Sequence, residues 1–561
     1  MSENNIEKAI ARAEQEVIQT QSQLAASAAR VKYSTNYATT DSSACGGRGS
    51  PTCSPDNSFT KAKPDNNSPL ASRSFHAKPG LMALSRHSRE NSAHGNKAVL
   101  AAVATHKPST AGLVIGALVV CATIYLQHLI ENSPPSLTSA FLKAAAGLTV
   151  DTSDTSWMLI STMMVLLMIP ALGLFEAGLL RAKNSVSILM QCFAGLAILS
   201  TLWFVVGFSL CFSPVDLYGL YGSPSTHFFL ANVEWTTPLP AAPTIPGVLF
   251  VAFQGMFASI TPLLCTGAFA ERLRFEAFLV FIVLWSVLVY YPLCHAIWGG
   301  GWLGKMGVYD FAGGIVIHTA AGTASLVTAV RLGPRRGFTG LISHALAPHN
   351  LPMAATGAGL LWVGWFSFNG GSALTAGSLA ASTLLTTHIA GSMGAISWLV
   401  LDWCVVGRPT IVGVINGALS GLAGVTPASG FVSPSAGLVI GLLSGVSSYA
   451  GCQIFKEEMR IDDALDVSSI HGVTGVVGSL LLGCYASTDI NDAGPNGSMH
   501  QVAIQALGVM VAVIWSMIGT HLVMGVTECF MPTRIDEEDE SRGLDASQHG
   551  ENSYADLTAL V

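Results

Sequence analysis

Two histidines of this chain occupy the same small frame. The first reads Asp310-x7-His318-x3-Gly322 and the second Asp463-x7-His471-x3-Gly475, with an Ile before each His. A neutral imidazole donates a hydrogen bond from one ring nitrogen and accepts at the other, so a facing pair can pass a proton or a small polar solute along an axis. Both rings fall inside apolar runs. Ionisable groups are expensive at that depth in a bilayer, and where they occur they mark a path for a polar or ionic substrate. Two matching frames point to two halves of a chain, each lending one imidazole to a shared path.

The surrounding composition is that of a polytopic membrane protein. Of 561 residues, 50% are apolar, 11% are charged and 57 are Gly, against about 25% charge in a soluble globular chain. Small residues at this frequency let transmembrane helices approach closely. Twelve apolar stretches are each long enough to cross a bilayer. They fall at about 111–130, 157–178, 188–212, 246–269, 276–297, 311–330, 353–371, 378–400, 409–428, 434–453, 468–486 and 501–526. The fold class is therefore all-α, a polytopic transmembrane helical bundle. No basic stripe with interleaved aromatics suggests nucleic acid. Nine of the 11 Cys lie from Cys121 onward, mostly in apolar spans, where they read as small core residues. Cys45 and Cys53 lack the His or Cys partners of a zinc site. No metal, cofactor or nucleophile–base set is indicated, which argues against an enzyme.

Cytoplasmic loops of membrane proteins retain Lys and Arg. With the N-terminal region inside, the inner loops hold Arg181, Lys183, Arg272, Arg274, Arg331, Arg335, Arg336, Arg408, Lys456 and Arg460, and the C-terminal tail adds Arg534 and Arg542. The outer segments hold Lys143 and Lys305. This asymmetry predicts twelve crossings with both termini cytoplasmic. The domains follow: 1–109, polar and largely disordered apart from a helix over roughly 4–30; 110–131, an extra transmembrane helix or signal anchor; 154–530, the main membrane domain; and 531–561, a cytoplasmic tail.

Eight stretches then carry a resemblance. They are LLRAKNSVSILMQ (179–191), FQGMFASITP (253–262), GAFAERLRF (267–275), HAIWGGGWLGKMGVYDFAGGIVIH (295–318), WFSFNGGSA (365–373), GRPTIVGVINGALSGLAGVTPASGFVSP (407–434), DDALDVSSIHGVTGVVGS (462–479) and GLDASQHGENSYA (543–555). In this order they are similar to the ammonium transporters of the Amt/Mep/Rh family, and the aromatic positions favour the Amt branch. The resemblance implies an eleven-helix fold with a five-helix inverted repeat, preceded here by one extra helix. It also implies a homotrimer with one path through each protomer, lying in a lipid bilayer and most simply in the plasma membrane, and a role in nitrogen uptake. Ammonium, ammonia and methylammonium are the implied substrates.

The same resemblance assigns residues. Phe257, Trp298 and Ser372 match the outer site that recruits the cation through π faces and a hydroxyl lone pair. Phe257 and Phe368 match a stacked phenyl gate, and His318 and His471 the pore histidines. Asp310 supports the recruiting site from behind, accepting backbone or hydroxyl hydrogen bonds, and Gln254 is a polar neighbour of the vestibule. His295, His388 and His521 lack the frame and read as structural. Ammonia would pass the pore with or without a separately relayed proton.

Glu176 departs from the family pattern: LFEAG (174–178) stands where many members carry Phe-Tyr-Gly-Gly. It reads as a solvated carboxylate paired with Arg181 or Lys183. In the tail, Ser547 sits where plant relatives carry a phosphorylated Thr, and the resemblance implies contacts between tails and neighbouring protomers. A kinase or other cytoplasmic regulatory protein is the implied partner there. Asn496-Gly-Ser498 forms a glycan acceptor in an outer loop. The alternative to transport is an ammonium sensor that signals through its cytoplasmic tails.

Overall fold

The computed structural model describes residues 148–554, except 215, 218 and 341–343. The expected N-terminal helix, Cys45, Cys53 and the expected crossing at 111–130 lie outside the described residues. Eleven apolar helices follow in chain order: α1 (Thr152–Leu179), α2 (Ala182–Phe212), α3 (Gly247–Phe269), α4 (Phe275–Lys305), α5 (Gly314–Leu332), α6 (Leu351–Gly371), α7 (Ser378–Val405), α8 (Ile411–Val425), α9 (Pro434–Glu458), α10 (Ser468–Tyr485) and α11 (Met499–Phe530). Ten are long and apolar enough to cross a membrane; α8 is the shorter one. A helix of its 15 residues is about 22 Å long. Small departures from the all-α expectation occur in the connection between α2 and α3. It carries two antiparallel ribbons, β1 (Asp216–Leu217) with β2 (Tyr221–Gly222) and β3 (Pro238–Leu239) with β4 (Ala242–Pro246).

Local chemistry starts these helices where they start. Asp151 accepts from the N–H groups of Ser153 and Asp154 at the head of α1, and Asn350, Ser433 and Ser498 cap α6, α9 and α11 in the same way. Pro352 and Pro434 occupy the first helical turn, where no N–H is needed. Packing between helices then depends on close approach, since lipid offers no hydrophobic drive for association. α1 runs along α6, and α7 packs on α8 and α9. A Cβ at Gly357 of α6 would stand 2.3 Å from the Phe175 nitrogen of α1.

One face of the bundle is held by ions. Arg335, between α5 and α6, grips Asp462, between α9 and α10, through Nη2–Oδ1 at 2.8 Å and Nε–Oδ2 at 2.9 Å. Its Nη1 lies 3.3 Å from Glu271, which pairs with Arg181 at 2.9 Å. Arg272 donates to the Asp462 carbonyl at 2.5 Å. Loops from four connections thereby share one side, as the distribution of Lys and Arg in the sequence expects. The tail continues on this side with α12 (Glu537–Arg542). Arg534 reaches Glu540 at 3.0 Å, and the Asp545 carboxylate accepts from the N–H groups of Val186 and Ser187 at 3.1 and 2.8 Å. Lys183 donates to the carbonyls of Glu540 and Ser541, and the Tyr554 hydroxyl lies 3.1 Å from His349. The tail is thus seated on the loops of its own chain.

Burial alone would raise the Asp462 carboxyl, but the hydrogen bonds and charge of Arg335 hold it well below the ordinary carboxylate range. Burial takes Arg272 down to about 10. Because the folded value of Asp462 lies below its unfolded one, its contribution to stability is present at neutral pH and is lost only as pH falls through the folded value. Replacing Asp462→Ala leaves buried Arg272 without its carboxylate and Arg335 with Glu271 alone, and should cost about 3–5 kcal/mol. A lowered thermal unfolding midpoint of the detergent-purified protein checks this; an unchanged midpoint contradicts it.

Candidate functional site

The head of α5 is built on Asp310, a side chain only 6% exposed. Its Oδ1 accepts from Gly313 and Gly314 at 2.9 and 2.7 Å, and its Oδ2 from Ile315 and Val316 at 2.8 and 3.0 Å. These donors are the otherwise unpaired N–H groups of a helix start. Gly313 precedes the helix with φ of 118°, a conformation only Gly adopts without strain. The Asp310 backbone carbonyl accepts from Trp298 Nε1 at 2.7 Å. One residue thus fixes both the start of α5 and the indole beside it. Asp463 is its counterpart at the head of α10, with Oδ2 accepting from Ser468 at 2.6 Å.

Each histidine then falls on a π-helical turn, His318 on Gly314–Thr319 and His471 on Ser468–Val473. Such turns are rare and recur at functional sites. The glycines of the two frames explain the rest. A Cβ at Gly322 would stand 2.2 Å from the Gly472 nitrogen, and one at Gly475 would stand 2.7 Å from the Gly314 carbonyl. Helices α5 and α10 therefore cross backbone to backbone. That crossing brings His318 Nδ1 and His471 Nδ1 to 3.1 Å, with ring centroids 5.1 Å apart and planes inclined by 28°. In a hydrogen bond between two Nδ1 atoms one ring donates and the other accepts. The donor ring then has an accepting Nε2, and the acceptor ring a donating one.

Above the imidazoles, Phe257 and Phe368 lie face to face, with centroids 4.4 Å apart and an angle of 36°. Phe257 also meets Trp298 edge-on at 6.3 Å. Ser372 ends α6, its hydroxyl donating to the Phe368 carbonyl at 2.8 Å, which leaves its lone pairs open. Gln254, one turn before Phe257, has a buried Oε1 without a hydrogen-bond partner. Below the phenyl pair a chamber runs past both histidines between Leu172, Ile260, Leu264, Leu361 and Leu419. It offers about 20 Å³ to the centre of a water-sized molecule, room for little more than one at a time.

Trp365 was not among the expected site residues, yet it forms a wall of the chamber. Its ring stacks on His318 at 5.5 Å and on His471 at 6.4 Å, and its Nε1 donates to Thr426 Oγ1 at 2.9 Å. Its spacing of three residues from Phe368 on α6 places both on one helix face, which is the signal that could have found it. His295, His388 and His521 lie elsewhere: His295 bonds the Cys211 carbonyl, His388 packs on Trp362, and His521 sits against Arg331.

The reading of Glu176 as a solvated ion pair is corrected by the structure. The residue is 1% exposed, and its carboxylate meets the Thr266 hydroxyl at 2.7 Å. Arg181 is taken by Glu271 and Lys183 by tail carbonyls, so neither cation is available to it. Ser547 lies on the π-helical turn Asp545–His549 of the tail, its hydroxyl buried and without a hydrogen-bond partner. Asn496 is exposed between α10 and α11.

The Asp310 cap yields a graded test. Asp310→Ala leaves four buried donors unsatisfied, at about 1–3 kcal/mol for each one stranded. Asp310→Asn keeps a single acceptor oxygen. Thermal unfolding should therefore rank wild type above Asn and Asn above Ala; equal midpoints would refute the assignment of the carboxylate as the organiser of α5.

The model of the Ammonium Transporter Family matches residues 156–554. Ammonium transporter 1 of Dictyostelium discoideum is 44% identical over 436 residues, covering 77% of this chain and 93% of that protein. An ammonium transporter of Bacillus subtilis (strain 168) is 38% identical over 414 residues, covering 72% and 98%. Among solved structures, Saccharomyces cerevisiae Mep2 superposes with a TM-score of 0.65 at 32% identity, covering 70% of this chain and 92% of that one. A Sensor Amt Protein superposes with a TM-score of 0.65 at 30% identity, covering 71% and 98%. Matching in sequence over nearly the full length of these transporters, and carrying ten helices of membrane length among the described residues, the chain belongs to the Ammonium Transporter Family as an integral, multi-pass ammonium transporter.

Proposed function

We propose that this transporter recruits the ammonium cation at Phe257, Trp298 and Ser372, removes one proton from it, and conducts ammonia past His318 and His471. The observation that carries the reading is the imidazole pair, 3.1 Å apart in a narrow apolar chamber closed above by two phenyl rings. Moving an ammonium-sized ion from water into such surroundings costs on the order of 20 kcal/mol in the idealised limit. Neutral ammonia escapes that penalty and needs only a few hydrogen bonds. The aromatic faces of Phe257 and Trp298 attract the cation by about 0.5–2 kcal/mol, and Ser372 offers an acceptor. Asp310 acts through the backbone it holds, and Gln254 through its free amide oxygen.

The side carrying the Arg and Lys network is the cytoplasmic one in this reading, with both termini on that side and the plasma membrane as the site of uptake. The protein works as a homotrimer, each protomer with its own path. The tail is regulatory. The Ser547 hydroxyl is buried in the docked tail without a hydrogen-bond partner, so a phosphate there would bring about 1.5–2 negative charges to a buried position.

In oocytes supplied with ammonium, His318→Ala should lower ammonium-evoked current and methylammonium uptake about a hundredfold, the scale of a lost proton-transfer group. Wild-type flux in that variant contradicts the proposal. Ser547→Asp should release the tail and depress transport; a variant with wild-type uptake and wild-type protection of residues 543–554 from protease removes the regulatory role.

A further inference from the structure

The mechanism above leaves one buried carboxyl of the membrane domain unused. Glu176 follows Phe175 and stands one helical turn beyond Leu172, and both of those residues line the chamber. Its partner Thr266 comes two residues after Leu264, a third lining residue. Gly267 closes the wall between them: a Cβ there would stand 2.9 Å from Glu176 Oε1 and 2.7 Å from Val467 Cγ2. Val467 precedes His471 by one turn of α10. The carboxyl thus sits just past the chamber, on the side of the imidazoles opposite the phenyl pair. It makes no ion pair among the described residues. The titratable groups acting on it are Cys192 of α2, Cys265 of α3 and Asp463. Asp463 is itself 2% exposed, and its Oδ1 lacks a hydrogen-bond partner.

A proton count at Thr266 shows what this arrangement permits. The hydroxyl has one hydrogen and faces two acceptors, Glu176 Oε2 and the Leu263 carbonyl. When Glu176 is ionised, Thr266 donates to it. When Glu176 carries a proton, it donates to Thr266, and Thr266 donates to Leu263. Both protonation states are satisfied with every heavy atom in place. A purely structural carboxyl needs only one of them.

We propose that Glu176 is the inner proton acceptor of the transport path. The proposal rests on the twin-histidine reading above. An N–H bond of ammonium breaks and leaves its electron pair on nitrogen, while the proton adds to a ring nitrogen of the His318–His471 pair. The proton then leaves the imidazolium for the Glu176 carboxylate, making an O–H bond, and passes from there to water on the inner side. The carboxylate is restored, and each cycle delivers one ammonia and one proton.

The test uses the full chain in liposomes on a solid-supported electrode, with ammonium-evoked current measured across a series of internal pH values. Glu176→Gln keeps size and hydrogen bonding but cannot ionise. It should lower the current about tenfold or more and flatten its dependence on internal pH, with the unfolding midpoint unchanged, while Glu176→Asp keeps most of both. A Glu176→Gln current and pH profile equal to wild type, beside a silent His318→Ala, overturns this proposal and leaves the twin-histidine reading standing. Wild-type current in His318→Ala overturns both. Should Glu176→Gln fail to fold, Thr266→Val decides: a displaced internal-pH profile supports the proposal, and an unmoved one overturns it.

Discussion

The 3.1 Å separation of the two imidazoles depends on a contact that neither ring makes, the meeting of α5 and α10 at Gly322, Gly472 and Gly475. Any side chain larger than hydrogen there would press against backbone, with a Cβ 2.2 Å from Gly472 at one point. Close-packed interiors do not yield to such an intrusion without displaced helices. The π-helical turns beneath the two histidines complete the arrangement, since an extra residue in a turn rotates the side chains that follow it. The imidazole pair is therefore placed by backbone geometry first and by ring chemistry second.

Polar caps protect that geometry at both ends. At the head of α5, Asp310 commits both carboxylate oxygens to four backbone donors, and its carbonyl accepts from Trp298. With both oxygens committed to backbone donors, this acid is a helix organiser. At the head of α10, Asp463 makes a lighter version of the same cap, with one oxygen left over. The two frames have thus diverged in their electrostatics while keeping the same spacing. The frame of Asp463 borders Glu176 and that of Asp310 borders Trp298.

The ionic face serves a different purpose. Arg181, Arg272 and Arg335 tie connections far apart in the chain through Glu271 and Asp462, and the tail is seated on the same platform. Breaking one partner of such a buried set weakens the hold on the others. Seating of the tail and the position of α1 are coupled through Arg181 and Lys183, which leave Glu176 without a cation. The tail and the end of α1 that carries Glu176 are thus joined through contacts on one face of the bundle.

Much of this was legible before any coordinates. Apolar length marks a membrane helix because lipid requires every backbone group to be paired within the helix, and this is a local property that a single stretch of residues reveals. The two histidine frames could be read as fixed spacings along the chain, and their aromatic neighbours only through the resemblance of the surrounding stretches to a known family. The surroundings of Glu176 could not. Nearness in sequence suggested Arg181 and Lys183, yet packing gave those cations to Glu271 and to tail carbonyls and gave Glu176 a hydroxyl 90 residues away. The spacing of Trp365 from Phe368 put both on one helix face, but its stacking on the two imidazoles arises only when α6 is laid against α5 and α10. Which helices become neighbours is settled by small-residue contacts and ion pairs across long separations, and no local pattern carries that information.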